Sequence, residues 1–154
     1  MRTTFYIALI VALALQVTCV TKSDFSKLYH EHKNEADLAL TLPKWMAMIA
    51  VPSDAKEDIK SLTEGMKRIR VLYNNESALS VKQEFATLGS NDSYVPYAKV
   101  SSDGTKLDIL ALEDGEIIRE LLIYIAEDDA TTLLALQGKM PKKHLLSEAD
   151  RLSK

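Results

Sequence analysis

The sequence predicts an α+β domain: an antiparallel β-meander sheet with helices packed on one face, making a two-layer sandwich. Three observations carry that expectation. The last third consists of β-rich runs joined by Asp-Gly dipeptides at 103–104 and 114–115, the signature of tight hairpins. Ahead of them, Ala78, Val81, Phe85 and Leu88 repeat at helical spacing. The alternating βα units that a doubly wound parallel sheet requires do not continue to the end of the chain.

The chain begins with Arg2, an almost wholly apolar run over residues 5–15 and a more polar stretch over 16–22. That is the layout of a secretory signal, and residues 1–19 are read as one. Residues 3–20 also reach the lower bound of a membrane span, but Thr3, Thr4, Gln16 and Thr18 interrupt them. Cys19 is the sole cysteine and stands where a lipoprotein signal places its lipidated residue. Gln16 and Thr18 depart from the usual lipobox. Two fates therefore stay open: lipidation at Cys19, or ordinary cleavage after Cys19 or after Ala14. Export is the expectation in either case.

Residues 20–36 read as a polar lead-in to a domain over 37–154. Within the lead-in, Phe25, Leu28 and Tyr29 allow a short helix capped by Ser23 or Asp24, with an extended segment as the alternative. Residues 37–42 alternate weakly, as a strand. Pro43 suits the first turn of a helix carrying Trp45, Met46, Met48 and Ile49. That apolar turn is expected in the core, with partner docking as the rival role.

Residues 53–65 offer an N-cap at Ser53 or Asp54 and a thin stripe of Ile59, Leu62 and Met66. Residues 67–73 form a strand with Ile69, Val71 and Tyr73 on one face. Residues 76–88 form the clearest helix, with Gly89 placed to stop it in a left-handed cap. Residues 94–100, 105–112 and 116–126 are the hairpin strands. Residues 131–137 fit a helix or a fourth meander strand. Residues 141–152 read as a closing helix with Leu145, Ala149 and Leu152 on one face.

Composition narrows function by exclusion. Without Arg2 the chain carries 18 basic against 22 acidic side chains. That mild acidity does not favour nucleic acid or a polybasic grip on lipid. Membrane contact is expected only through the signal or a lipid anchor. With Cys19 in the signal region, no mature disulfide or thiolate metal site is expected.

His30, Glu31 and His32, with Glu35 and Asp37 nearby, are the one cluster of metal-ligand type. On a helix His30 and His32 diverge by about 200°. The spacing of a His-Glu-x-x-His zinc helix is absent, and a solvated lead-in is the expected state. No Gly-x-Ser-x-Gly elbow, mature cysteine or phosphate-cradling glycine loop is present. His144, beside Lys142 and Lys143, is expected at the surface. Glu113-Asp114 and the acids at 127–129 read as turn chemistry rather than a catalytic carboxylate pair. No catalytic residue, cofactor or metal is therefore predicted.

Several segments together resemble a known family. They are Pro43-Lys44-Trp45-Met46, Ile69-Arg70-Val71-Leu72, Leu107-Asp108-Ile109-Leu110, Ile117-Ile118-Arg119-Glu120-Leu121-Leu122 and Leu136-Gln137-Gly138-Lys139-Met140. The chain is similar to the bacterial family called domain of unknown function 4252. The likeness covers nearly the whole mature chain through hydrophobic patterns rather than chemical signatures.

The resemblance implies an exported protein, often a lipoprotein, of the periplasm or membrane of Gram-negative Bacteroidota. It favours a strand for residues 131–137. It also hints at a link to extracytoplasmic sigma factors and envelope stress. It assigns no activity and carries over no catalytic residue. The expectation is a non-enzymatic envelope accessory or interaction domain with an unknown protein partner. Sigma-factor signalling, small-ligand or lipid carriage and an unfamiliar hydrolase are its rivals.

Overall fold

The computed structural model describes residues 23–49, 63–76, 78–91 and 93–145. The signal region with Cys19, most of the polar stretch 53–65, and the closing helix beyond Leu145 lie outside them.

The elements run α1 (Asp24–His32), β1 (Leu38–Pro43), α2 (Lys44–Ile49), β2 (Met66–Asn74), α3 (Leu79–Ser90), β3 (Val95–Ser102), β4 (Thr105–Asp114), β5 (Ile117–Ala126) and β6 (Thr131–Pro141). The six strands form one sheet in the order β1-β2-β6-β5-β4-β3, and every neighbouring pair is antiparallel. The α+β meander expected from the Asp-Gly turns is present. Asp103 (φ 48°) and Gly104 (φ 84°) make the β3–β4 turn, and Gly115 (φ 61°) opens the β4–β5 turn. These left-handed angles match the right-handed twist of the strands they join.

Residues 131–137 are strand, not helix. β6 runs between β2 and β5, hydrogen-bonded on both sides. Its Leu133 and Ala135 face the helices, while Leu134 and Leu136 point the other way. A central strand apolar on both faces loses the alternation that usually marks a strand, and local reading stays ambiguous.

Helices α1 and α3 cover one face. Phe25, Leu28 and Tyr29 of α1 and Val81, Phe85 and Leu88 of α3 pack onto Leu72, Leu110, Leu122, Tyr124 and Leu133. Phe85 stacks on Tyr124 with ring centroids 5.0 Å apart. α1 falls inside the stretch read as a polar lead-in, yet Phe25 is 0% exposed. The short helix with Phe25, Leu28 and Tyr29 at i, i+3, i+4 is present and capped by Ser23, and that narrow apolar stripe is enough to anchor its nine residues in the core.

α3 ends two residues later than the left-handed stop at Gly89 predicts. Gly89 is helical and keeps a negative φ. Its role is space: a Cβ there would come within 3.4 Å of the Leu110 side chain, so the glycine lets helix and sheet approach closely.

The opposite face carries a second apolar cluster of Met66, Ala111, Ile118, Leu121 and Met140, with Ile69, Ile109, Ile123, Leu136 and Leu145 against it. No described helix is long and apolar enough to cross a membrane.

Candidate functional site

One end of the sheet is irregular. The register shifts between Met66 and Arg68 in β2, between Leu112 and Glu113 in β4, and between Ile118 and Glu120 in β5. Each shift places an extra residue in one strand and re-aims its neighbours. Lys67 and Arg119 are two such residues. At the same end the backbones of Gly65 and Gly138 cross closely: Lys139 N–H donates to Gly65 O at 2.9 Å. A Cβ on Gly138 would sit 2.2 Å from Gly65 O.

Beside these bulges, Arg68, Gln137 and Glu120 form a row across β2, β6 and β5, paired Arg68–Gln137 and Gln137–Glu120. The row stands on the helix-covered face. Glu120 is only 3% exposed. Tyr94 donates its hydroxyl proton to Glu120 Oε1 at 2.6 Å. Gln137 donates its amide to Oε2. Ser23 Oγ donates to Oε2 at 3.1 Å and accepts from Ser26 N–H, so it caps α1 and ties that cap to the sheet. Arg70 donates to Ser26 Oγ at 2.9 Å and lies 5.2 Å over the Tyr29 ring.

Every donor to Glu120 is neutral. No ion pair to it occurs among the described residues. Burial, then the nearby Glu120 charge, pushes the Tyr94 hydroxyl well above the ordinary tyrosine range. Tyr94 therefore stays protonated as a fixed donor.

The row lines a cleft of about 440 Å³ between Ser23 and the sheet end. Lys67, Arg68, Arg119 and Lys139 stand around it. Arg119 is engaged by Asp114 at 3.0 Å. Lys67, Arg68 and Lys139 have no ion-pair partner among the described residues.

The residues singled out from sequence are scattered. His30 and Glu31 are exposed, whereas His32 is buried, with Nε2 2.9 Å from Glu84 Oε1 on α3. The helix separates His30 from His32, as the 3.6-residue turn requires. Among the described residues no group of three or more His, Cys, Asp or Glu side chains is arranged to hold a metal. His32 is not the solvated lead-in residue expected; it joins α1 to α3.

Glu113 does more than close a turn. It accepts from Tyr97 and, at 2.8 Å, from Lys142. Those two bonds hold its carboxyl below the usual carboxylate range. His144 is half-buried and 3.3 Å from Glu64, not free at the surface.

α2 departs furthest from expectation. It buries no residue. Trp45 is 63% exposed and Ile49 70%, with Met46, Leu38 and Leu40 also exposed. The apolar turn expected in the core is a surface shelf following an edge strand.

Glu120, Gln137 and Tyr94 were missed from sequence. A signal was there: Glu120 precedes Leu122 and Tyr124, and Gln137 follows Leu133 and Ala135, in the same inward phase of their strands. A polar residue at an inward position must find partners.

No curated protein and no solved structure matches the sequence. A family model described as a domain of unknown function, 4252, matches residues 29–147. That match takes in every strand, α3, the last four residues of α1 and the strands of the bulged sheet end. The chain belongs to the family called domain of unknown function 4252.

Proposed function

We propose that this protein is an exported, non-enzymatic interaction domain of the cell envelope, docking a partner polypeptide along β1. The observation that carries the reading is the contrast between the two edges of the sheet. β3 is guarded by Pro96, Lys99 and a bulge between Pro96 and Ala98. β1, Leu-Ala-Leu-Thr-Leu-Pro, has no charge and no bulge, and it leads into the exposed Trp45 shelf. Soluble proteins blunt their edges with charge, proline or bulges; β1 has such a guard only at its last residue, Pro43, so among the described residues positions 38–42 form an open apolar edge next to an apolar shelf, which supports docking there.

The occupant is an extended, uncharged apolar segment of another protein, added as a seventh antiparallel strand. A second copy fits less well. In a two-fold β1–β1 pairing the two shelves fall at opposite ends of strands about 20 Å long. One partner segment running past Pro43 covers strand and shelf together.

Residues 1–19 supply the export step, with Cys19 the candidate lipid anchor. Intact-mass measurement on the native protein tests this: a mature chain starting at an acylated Cys19 supports the anchor, and an unmodified start at Val20 or earlier removes it. For docking, a photo-crosslinker is placed at position 45 in the native host, with position 90 on α3 as control. One discrete heteromeric adduct at 45, absent at 90 and lost on Leu40→Lys, is expected. An adduct of the chain with itself, or one indifferent to Leu40→Lys, overturns the reading.

A further inference from the structure

The cleft at the bulged sheet end lies inward of the β1 edge, where Arg68 pairs with Pro43, and its polarity is ordered. Its floor is acceptor-rich. The Glu120 carboxylate is buried with neutral donors only, and Gln137 Oε1 is buried without any partner. Gln137 is 9% exposed. Its amide cannot turn round to relieve this, because its NH₂ is held by Glu120 and a flip would set oxygen against carboxylate. A buried acceptor left unpaired costs about 1–3 kcal/mol, so a ligand donor that reaches it recovers a real penalty.

The rim has the opposite character. Arg68 stands beside Gln137 in the register, with Lys67 and Lys139 flanking, and none of the three has an ion-pair partner among the described residues. Neighbouring strands lie about 4.8 Å apart. A cationic donor over Gln137 and an anionic group at Arg68 must therefore belong to a compact molecule.

A plain anion satisfies the rim and meets the Glu120 charge at the floor. A plain amine satisfies the floor and meets three cations. A molecule carrying both charges a few bonds apart satisfies both, with bidentate acceptance from Arg68 available to a carboxylate. The volume of about 440 Å³ lies in the range of small-ligand sites.

We infer that the cleft between Ser23 and the bulged ends of β2, β5 and β6 binds a small zwitterion, an α-amino acid. Its ammonium donates to Gln137 Oε1 above Glu120, and its carboxylate takes Arg68, Lys67 and Lys139. The three bulges and the Gly65–Gly138 crossing give the site its shape by bringing these side chains to one opening.

The test is isothermal titration of the protein in its native processed form against the twenty L-amino acids. Acetate, methylamine, inorganic phosphate and phosphoethanolamine serve as single-charge and longer-zwitterion probes. At least one amino acid is expected to bind with Kd below about 1 mM. Acetate and methylamine should bind at least tenfold more weakly than that amino acid. Arg68→Ala, at an exposed position, is expected to weaken binding about tenfold or more without moving the melting temperature. Phosphate binding as tightly as the best amino acid makes this a simple anion site and overturns the inference. Preference for phosphoethanolamine points to a lipid headgroup and overturns it as well. So does an absence of binding by all twenty, or an Arg68→Ala variant that binds like the parent.

Discussion

Tyr94→Phe removes a buried hydroxyl that ties Glu120 of β5 to the start of α1. The hydroxyl donates to Glu120 Oε1 at 2.6 Å and accepts from Phe25 N–H at 3.4 Å. A buried hydrogen bond to a charged group is worth roughly 1.5–3 kcal/mol, and the long bond to Phe25 adds less than about 1 kcal/mol. The variant should lose about 2–3 kcal/mol near neutral pH. At ~4 °C per kcal/mol for a domain of this size, that is about 10 °C in melting temperature.

The same change has a pH signature. Tyr94 in the folded protein holds its proton above the ordinary tyrosine range, whereas in the unfolded chain it titrates near 10. Its contribution is complete below about pH 10 and is lost as pH rises beyond it, because unfolding then releases a proton. Urea unfolding at pH 7 and at pH 10.5 reads both effects: the parent should weaken on going alkaline, and the variant should weaken less. A loss below about 0.5 kcal/mol at pH 7 would show that Glu120 finds another donor, and the account of a tightly held floor would fail.

Other perturbations probe separate parts of the fold. Gly138→Ala should abolish folding or cost at least ~3 kcal/mol, since its Cβ meets the backbone oxygen of Gly65 and the Cα of Met66; circular dichroism and melting of the purified variant decide it. Phe25→Ala should cost about 3–5 kcal/mol in urea unfolding, whereas a true lead-in residue would cost almost nothing. Lys142→Met should flatten the acid limb of stability. The depressed Glu113 carboxyl contributes above its unfolded value, and that contribution is lost as pH falls through the folded one, so the parent weakens below about pH 4.5 and the variant weakens less. Leu40→Lys should change stability by less than ~0.5 kcal/mol, because the side chain is exposed on an edge, while removing the docking adduct.

The sheet was legible because its signals are local. An Asp-Gly pair dictates a tight turn wherever it falls between β-rich runs, and a stripe at i, i+3, i+4, i+7 declares a helix face without reference to anything else. Hence α3 and β3 to β5 follow from adjacent residues alone. Three further matters were settled only by tertiary packing. Residues 131–137 became a strand because β2 and β5 supplied hydrogen-bond partners on both sides, which no run of Leu and Ala specifies.

α1 joined the core, and α2 did not, because burial depends on what faces a helix. Phe25 and Leu28 meet α3 and the sheet, while Trp45 meets open surface. The cleft gathers Ser23, Arg68, Glu120 and Gln137 from four separate segments, and Tyr94 from a fifth holds Glu120 in place. Their proximity arises from strand order and three register shifts. Such long-range pairings are fixed by the whole chain closing on itself, and no window of neighbouring residues contains them.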